Sequence, residues 1–237
     1  MNEHTLKFFG EELAQLKAEV TRLGGLAEAQ LNGAIDAVAK RDVSLAQTIV
    51  ARDDRLDTLQ RDIEKKAVRL IALRQPVAQD LRRTVGAMKM GWSLERTGDM
   101  AKNIAKRALV IAEVEPIIPL TRSIERMGRL VSSRLKDALD AYTTGDDARA
   151  MHIWSSDDEV DEHYNSLFRE LLTYMMSDPR TIGACAHLLF IGKNLERIGD
   201  HATNIAEIIH YEATGEEILG DRPKWSSADL ASPEAEA

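Results

Sequence analysis

The 237-residue chain holds one cysteine, no excess of basic residues and no apolar run long enough to cross a bilayer. Each shortage removes a class of function. The lone Cys185 excludes an intrachain disulfide framework and is compatible with a reducing compartment, where its ordinary role is a small buried side chain. With 31 Lys and Arg against 39 Asp and Glu, the formal net charge is -8. No surplus of cations is available to replace phosphate counterions, so nonspecific nucleic-acid binding is not expected. The longest uncharged stretch, residues 181–192, falls well short of the roughly 20 residues a spanning helix needs. Met1-Asn2-Glu3-His4 carries no basic stretch leading into an apolar core. The expectation is a cytoplasmic protein that meets a membrane only through partners. Nucleophile elbow, P-loop and Cys-His zinc spacings are missing as well, which leaves enzyme chemistry without a clear seat.

What is present is helical periodicity. Leu6, Phe9, Leu13, Leu16, Val20 and Leu23 recur at helical spacing, as do Leu56, Leu59, Ile63, Val68 and Leu70, and no sustained period-2 run interrupts the pattern. Pro76, Pro116, Pro119 and Pro179 all fall between periodic segments, and Asp178-Pro179 reads as an N-cap followed by proline at the first helical position. These breaks predict an all-α chain of six long helices at about residues 5–40, 44–73, 77–113, 120–143, 147–176 and 180–214. Antiparallel neighbours joined by short turns would make two three-helix bundles, 5–113 and 120–214. Residues 215–237 lose the periodicity and read as a flexible acidic tail, with Trp225 its one aromatic.

The halves are copies. Leu94-Glu95-Arg96-Thr97-Gly98-Asp99 returns as Leu195-Glu196-Arg197-Ile198-Gly199-Asp200, and Asn103-Ile104-Ala105 returns as Asn204-Ile205-Ala206. Upstream, Asp53 and Asp57 correspond to Asp157 and Asp161. The register is 101 residues for Glu95 and Glu196 but 104 for Asp53 and Asp157, a small length difference expected near the breaks at Pro76 and Pro179.

Acids four apart share one helix face. If the second and third helices of each repeat pack side by side, Asp53, Asp57, Glu95 and Asp99 converge in the first, and Asp157, Asp161, Glu196 and Asp200 in the second. Four carboxylates together repel, and a multivalent cation relieves them; all-oxygen ligation favours Mg, Mn, Ca or iron over zinc. The plainer alternative is a solvated face whose acids pair with Arg55, Arg96 or Arg197. Gly98 and Gly199 cost helix stability and so are expected to serve a close approach, by a neighbouring helix or by a ligand. His201 is the histidine best placed to touch a metal, whereas His187 is expected in the core and the methionines as core fillers. Glu207 and His210 have the Glu-x-x-His spacing of di-iron bundles, but Lys106 and Leu109 stand at those places in the first repeat, against a ferritin-like site.

The doubled Leu-Glu-Arg-x-Gly-Asp, together with Pro76-Val77-Ala78-Gln79-Asp80-Leu81-Arg82 and the run from Asn194 to Glu207, closely resembles the PhoU family of bacterial phosphate-signalling regulators over about residues 5–214. The resemblance implies a cytoplasmic regulator, not an enzyme, that helps hold the phosphate-starvation response off when phosphate is plentiful. Its implied partners are the ATPase subunit of the high-affinity phosphate transporter and the sensor histidine kinase, often with a homodimer. It also implies metal clusters on the paired acidic motifs, here the eight acids just named, with iron, manganese, magnesium or zinc as the ion. The copies differ at Thr97 and Ile198, Met100 and His201, and Lys106 and Glu207. Lys106 lessens the negative potential, so the second site is expected to bind cations more tightly. A metal-dependent phosphoryl-handling or redox enzyme on the same acids is the alternative.

Overall fold

The computed structural model describes residues 3–115 and 117–218. The first repeat is α1 (Glu3–Lys40), α2 (Val43–Arg74) and α3 (Ala78–Ile111). The second is α4 (Ile118–Thr144), α5 (Asp147–Ser155), α6 (Asp158–Ser177) and α7 (Ile182–Thr214), with a 3-10 turn at Pro179–Thr181 leading into α7. Among the described residues there is no strand. Residues 216–218 lie outside any helix, and the rest of the expected tail, including Trp225, lies outside the described residues.

The corresponding turns are built alike. Arg41 and Gly145 take the left-handed conformation, at φ 55° and 69°, and end α1 and α4. The next residues, Asp42 and Asp146, accept the backbone N–H of Leu45 and Arg149 and so start α2 and α5. The Arg41 side chain donates to the Ala112 and Val114 carbonyls beyond α3, which helps hold a non-glycine residue at positive φ. Between α2 and α3 the chain spends three residues, Gln75, Pro76 and Val77, where only Asp178 separates α6 from the turn before α7. The two extra residues, with the one by which α6 ends earlier than α2, account for the change of register from 104 to 101. Asp178 caps that turn through the Arg180 N–H, as the Asp-Pro pair predicts.

The two bundles join through like elements, α1 on α4 and α3 on α7. The α1–α4 contact is reciprocal: Leu139 fills the space beside Gly24, and Ile35 fills the space beside Gly128. Gly24 corresponds to Gly128 and Ile35 to Leu139, so each contact reappears with the partners exchanged, as across a two-fold axis. The core follows the same register. Leu16, Val20 and Leu31 are buried on α1, and their counterparts Leu120, Ile124 and Leu135 on α4. Cys185, Met90, Met100 and Met127 are buried too.

The expected fifth helix, 147–176, is interrupted at Ser156 and Asp157. Arg134 of α4, almost wholly buried, donates to the Ile153 and Ser156 carbonyls, and Ser156 Oγ donates back to His152 O at 3.0 Å. Those two carbonyls are the ones that Asp157 N–H and Val160 N–H would use in an unbroken helix. The corresponding residue on α1 is Gln30, which reaches elsewhere, and α2 runs on unbroken.

Glu212 sits where α7 meets the rest, with its carboxyl packed over Gly86 and with Lys17, Arg83 and Tyr142 nearby. Burial raises its pKa to about 7, against 4.5 for a free carboxyl. A raised carboxyl pKa means the native state holds the proton more tightly, so this contribution is present below about pH 4.5 and is lost as pH rises to 7. Urea unfolding of wild type and Glu212→Gln is expected to show their stability difference shift in favour of the variant by about 2–3 kcal/mol between pH 4 and pH 8. A difference independent of pH would show that the Glu212 pKa is the same in the folded and unfolded chain.

Candidate functional site

Two glycines on α3 set how near α2 can come. Leu56 packs against Gly98, where a Cβ would lie 2.5 Å from Leu56 Cδ2, and Ile63 packs against Gly91 at 3.5 Å. The second repeat repeats the seam, with Val160 against Gly199 at 3.1 Å and Leu167 against Gly192 at 2.7 Å. The glycines thus serve helix packing, and that packing carries the acids. Asp53 and Asp57 flank Leu56 on α2, and Asp99 follows Gly98 on α3, so closing the seam brings the two pairs together.

In the first repeat the charges of the two pairs act on one another across the seam. The Glu95 carboxyl is pushed above its ordinary range by burial first, then by the negative charge of Asp99, with Asp57 and Asp53 adding to it. Asp53 is buried and both its oxygens are engaged: Gln30 Nε2 donates to Oδ1 at 3.2 Å, and the Lys102 ammonium donates to Oδ2. Lys102 also lies 3.7 Å from Asp99 Oδ1, so one ammonium spans α2 and α3. Its own pKa is raised, chiefly by the bond to Asp53, which keeps it charged. Arg96 flanks the outer side, 3.6 Å from Glu95 and 3.7 Å from Asp99. Those partly exposed contacts are the solvated-face pairing expected of Arg96 and contribute little. Glu95 and Arg96 border a groove of about 960 Å³ between α3 and α7, into which the exposed Trp92 projects beneath the Arg96 guanidinium.

In the second repeat Asp157 is likewise buried, and a hydroxyl meets it at the place where Lys102 meets Asp53. Thr203 Oγ1 donates to Asp157 Oδ1 at 2.6 Å. Asp161 and Asp200 are half-buried. Glu196 Oε1 accepts from Lys193 at 2.7 Å, while Glu196 Oε2 is buried without a hydrogen-bond partner. Lys106, the residue expected to weaken the first face, is exposed. The cation on the buried aspartate of that face is Lys102, one residue before the aligned Asn103, and it corresponds to Thr203.

A metal ion needs several oxygen donors gathered at one point. Among the described residues no three His, Cys, Asp or Glu side chains are so gathered. The first face does not fit a metal as it stands, because an ammonium occupies the bridging place. The second face offers the right donor chemistry and an orphaned glutamate oxygen, though its side chains would have to draw together. His201 is half-buried on α7 beside Asp200. The Glu-x-x-His pair is committed elsewhere: Glu207 accepts from Trp154 Nε1 at 3.2 Å, and His210 Nδ1 lies 2.8 Å from Asp147. His187 is half-buried rather than in the core, with Arg107 of α3 3.3 Å from its Nδ1.

Two three-helix repeats, packed through like helices and each carrying a glycine-seamed acidic face, define a tandem-repeat helical bundle of the PhoU kind. The family model described as PhoU domain matches residues 20–108 and 124–209. The chain is 69% identical over 224 residues to a Caulobacter vibrioides protein named phosphate-specific transport system accessory protein PhoU homolog, covering 94% of this chain and 97% of that one. It resembles the crystal structure of PhoU from Pseudomonas aeruginosa at TM-score 0.82 and 37% identity, over 88% of this chain and all of that one. The phosphate transport system regulatory protein PhoU of Streptococcus pneumoniae gives TM-score 0.81 and 31% identity, over 89% and 99%. The chain belongs to the PhoU family.

The seam makes a quantitative expectation. Gly98→Ala gains about 1 kcal/mol of helix propensity but drives its methyl into the fully buried Leu56, and overpacking of that kind costs about 1–3 kcal/mol. Urea unfolding is therefore expected to show Gly98→Ala as the less stable of the two alanine variants, with Gly199→Ala, beside the looser Val160 contact, close to neutral. Equal effects would remove the seam from the account.

Proposed function

We propose that the chain is an accessory regulator of a phosphate transport system that holds the phosphate-starvation response off when phosphate is plentiful. The observation that carries this reading is the match along nearly the whole chain to a protein named for that accessory role. The proposed mode is an adaptor: a helical scaffold that joins the transporter's ATPase subunit to a sensor histidine kinase in the phosphate-replete state, working as a cytoplasmic homodimer. No helix among the described residues is long and apolar enough to cross a membrane, which agrees with reaching the transporter through partners.

Cation capture enters the proposal at the second face, where Asp157, Asp161, Glu196 and Asp200 would hold iron, manganese, magnesium or zinc. A bound ion there would supply neutralisation of the carboxylates. The chain's own residues do the rest, since the glycine seam presents the acids and the surface around them meets the partners. Relatives carry the names accessory and regulatory protein, which favours a regulatory role over the enzyme alternative.

A phosphate-starvation reporter read at high phosphate tests the proposal in wild type, a deletion strain and a strain with alanine at the eight acids. Deletion is expected to switch the reporter on, and the eight-alanine strain to do so in part or in full. A silent reporter in a deletion strain that lacks a second copy of the protein would reject the regulatory role.

A further inference from the structure

The chain leaves α7 in a set direction. Gly215 takes the left-handed conformation at φ 82° and ends that helix, and its backbone lies so close to α3 that a Cβ there would stand 3.1 Å from Arg82 Nη1. Just beyond it, Glu217 and Ile218 already border the groove of about 960 Å³ beside α3. Leu219 and the residues after it lie outside those described, so the chain passes out of description while it borders this groove. We propose that residues 219–225 continue along the groove and cover Trp92, which makes the chain's own C-terminal segment the occupant of this surface.

The groove runs in the right direction and is short enough. α3 and α7 are antiparallel: Gly86 meets Glu212 and Lys89 meets Tyr211, whereas Arg107 meets His187. A segment that reverses at Gly215 and follows α3 therefore passes from the Gly86 end toward Arg96. The helix covers about 15 Å between those two residues at its usual rise, while an extended stretch the length of 219–225 spans about 23 Å. The segment reaches Trp92 and Arg96 with length in hand. Tethered at Ile218, it meets the groove at a high effective concentration.

The walls suit that segment. Trp92 is 55% exposed, with the Arg96 guanidinium 5.2 Å from its ring, and Ile208 and Tyr211 line the same groove from α7. Leu219, Pro223 and Trp225 give the segment apolar side chains to lay on them, and an aromatic pair gains more than its buried area alone. Charge agrees. Among the described residues the groove is lined by Glu64, Glu95, Glu207 and Glu217 against Lys89 and Arg96, which leaves it acidic. Residues 219–225 carry Arg222 and Lys224 against Asp221, whereas Asp229, Glu234 and Glu236 all come later. Complementarity thus selects the first stretch and not the rest. An outside partner that reads Trp92 must first displace this segment. The inference needs neither the regulatory reading nor a bound metal.

Paramagnetic relaxation on the full chain tests it. A nitroxide is attached at Ser226→Cys, the native Cys185 being wholly buried and so left unlabelled, and the indole N–H signal of Trp92 is identified by its loss in Trp92→Phe. In isotope-labelled, nitroxide-bearing protein diluted with plain chain, the Trp92 signal is expected to lose about half its intensity or more relative to the same sample after reduction of the nitroxide, as a mostly docked segment requires. Adding Arg222→Glu and Lys224→Glu to that chain is expected to restore the signal. A Trp92 signal untouched by the nitroxide overturns the proposal. So does broadening that appears only when the nitroxide is carried by the other chains of a mixed sample, because the occupant is then the segment of a second copy.

Discussion

The close approach of the second helix to the third in each repeat is the contact on which the rest depends. Leu56 over Gly98 and Val160 over Gly199 are side chains resting on bare backbone, and each lies beside the acids that give its repeat a chemical face. Widening the seam would separate Asp53 and Asp57 from Glu95 and Asp99. Glycine in a helix interior is disfavoured, and the chain accepts it twice per repeat along this line. The stability lost in the helices is offset by buried aliphatic contact between them, Leu56, Ile63, Val160 and Leu167 all being buried.

Duplication makes the faces alike, and a few exchanges make them different. Gln30 and Arg134 occupy matching places on α1 and α4, yet one secures an aspartate and the other takes two backbone carbonyls and breaks a helix. That break sets Asp157 at the entrance of α6, whereas Asp53 lies well inside α2. Lys102 and Thr203 complete the difference. A fold assembled as two copies about an internal two-fold thereby acquires one buried aspartate that meets an ammonium and one that meets a hydroxyl, without disturbing the core the repeats share.

Much of this was legible in the sequence because it depends on short-range regularities. Apolar spacing and the positions of proline mark six helices with ends close to those observed, apart from the split of the fifth, and the repeated motif marks matching acids on matching helices. What escaped depends on contacts between residues far apart. Nothing near Ser156 announces an interruption, because the cause is Arg134 on another helix. Gln30 reaches Asp53 from α1 for the same reason. Lys102 is a different case. Its signal lies in the alignment of the two copies, directly before Asn103 and Asn204, whereas Lys106, one helical turn further on, is exposed.

The central claim is that the repeats share a fold and divide their electrostatics. Anomalous diffraction at the manganese edge from crystals of Mn2+-loaded wild-type protein addresses it directly. The account predicts an anomalous peak among Asp157, Asp161, Glu196 and Asp200, with Lys102 still on Asp53 and no peak in the first repeat. A peak between Asp53 and Asp99, with the lysine displaced, would contradict it.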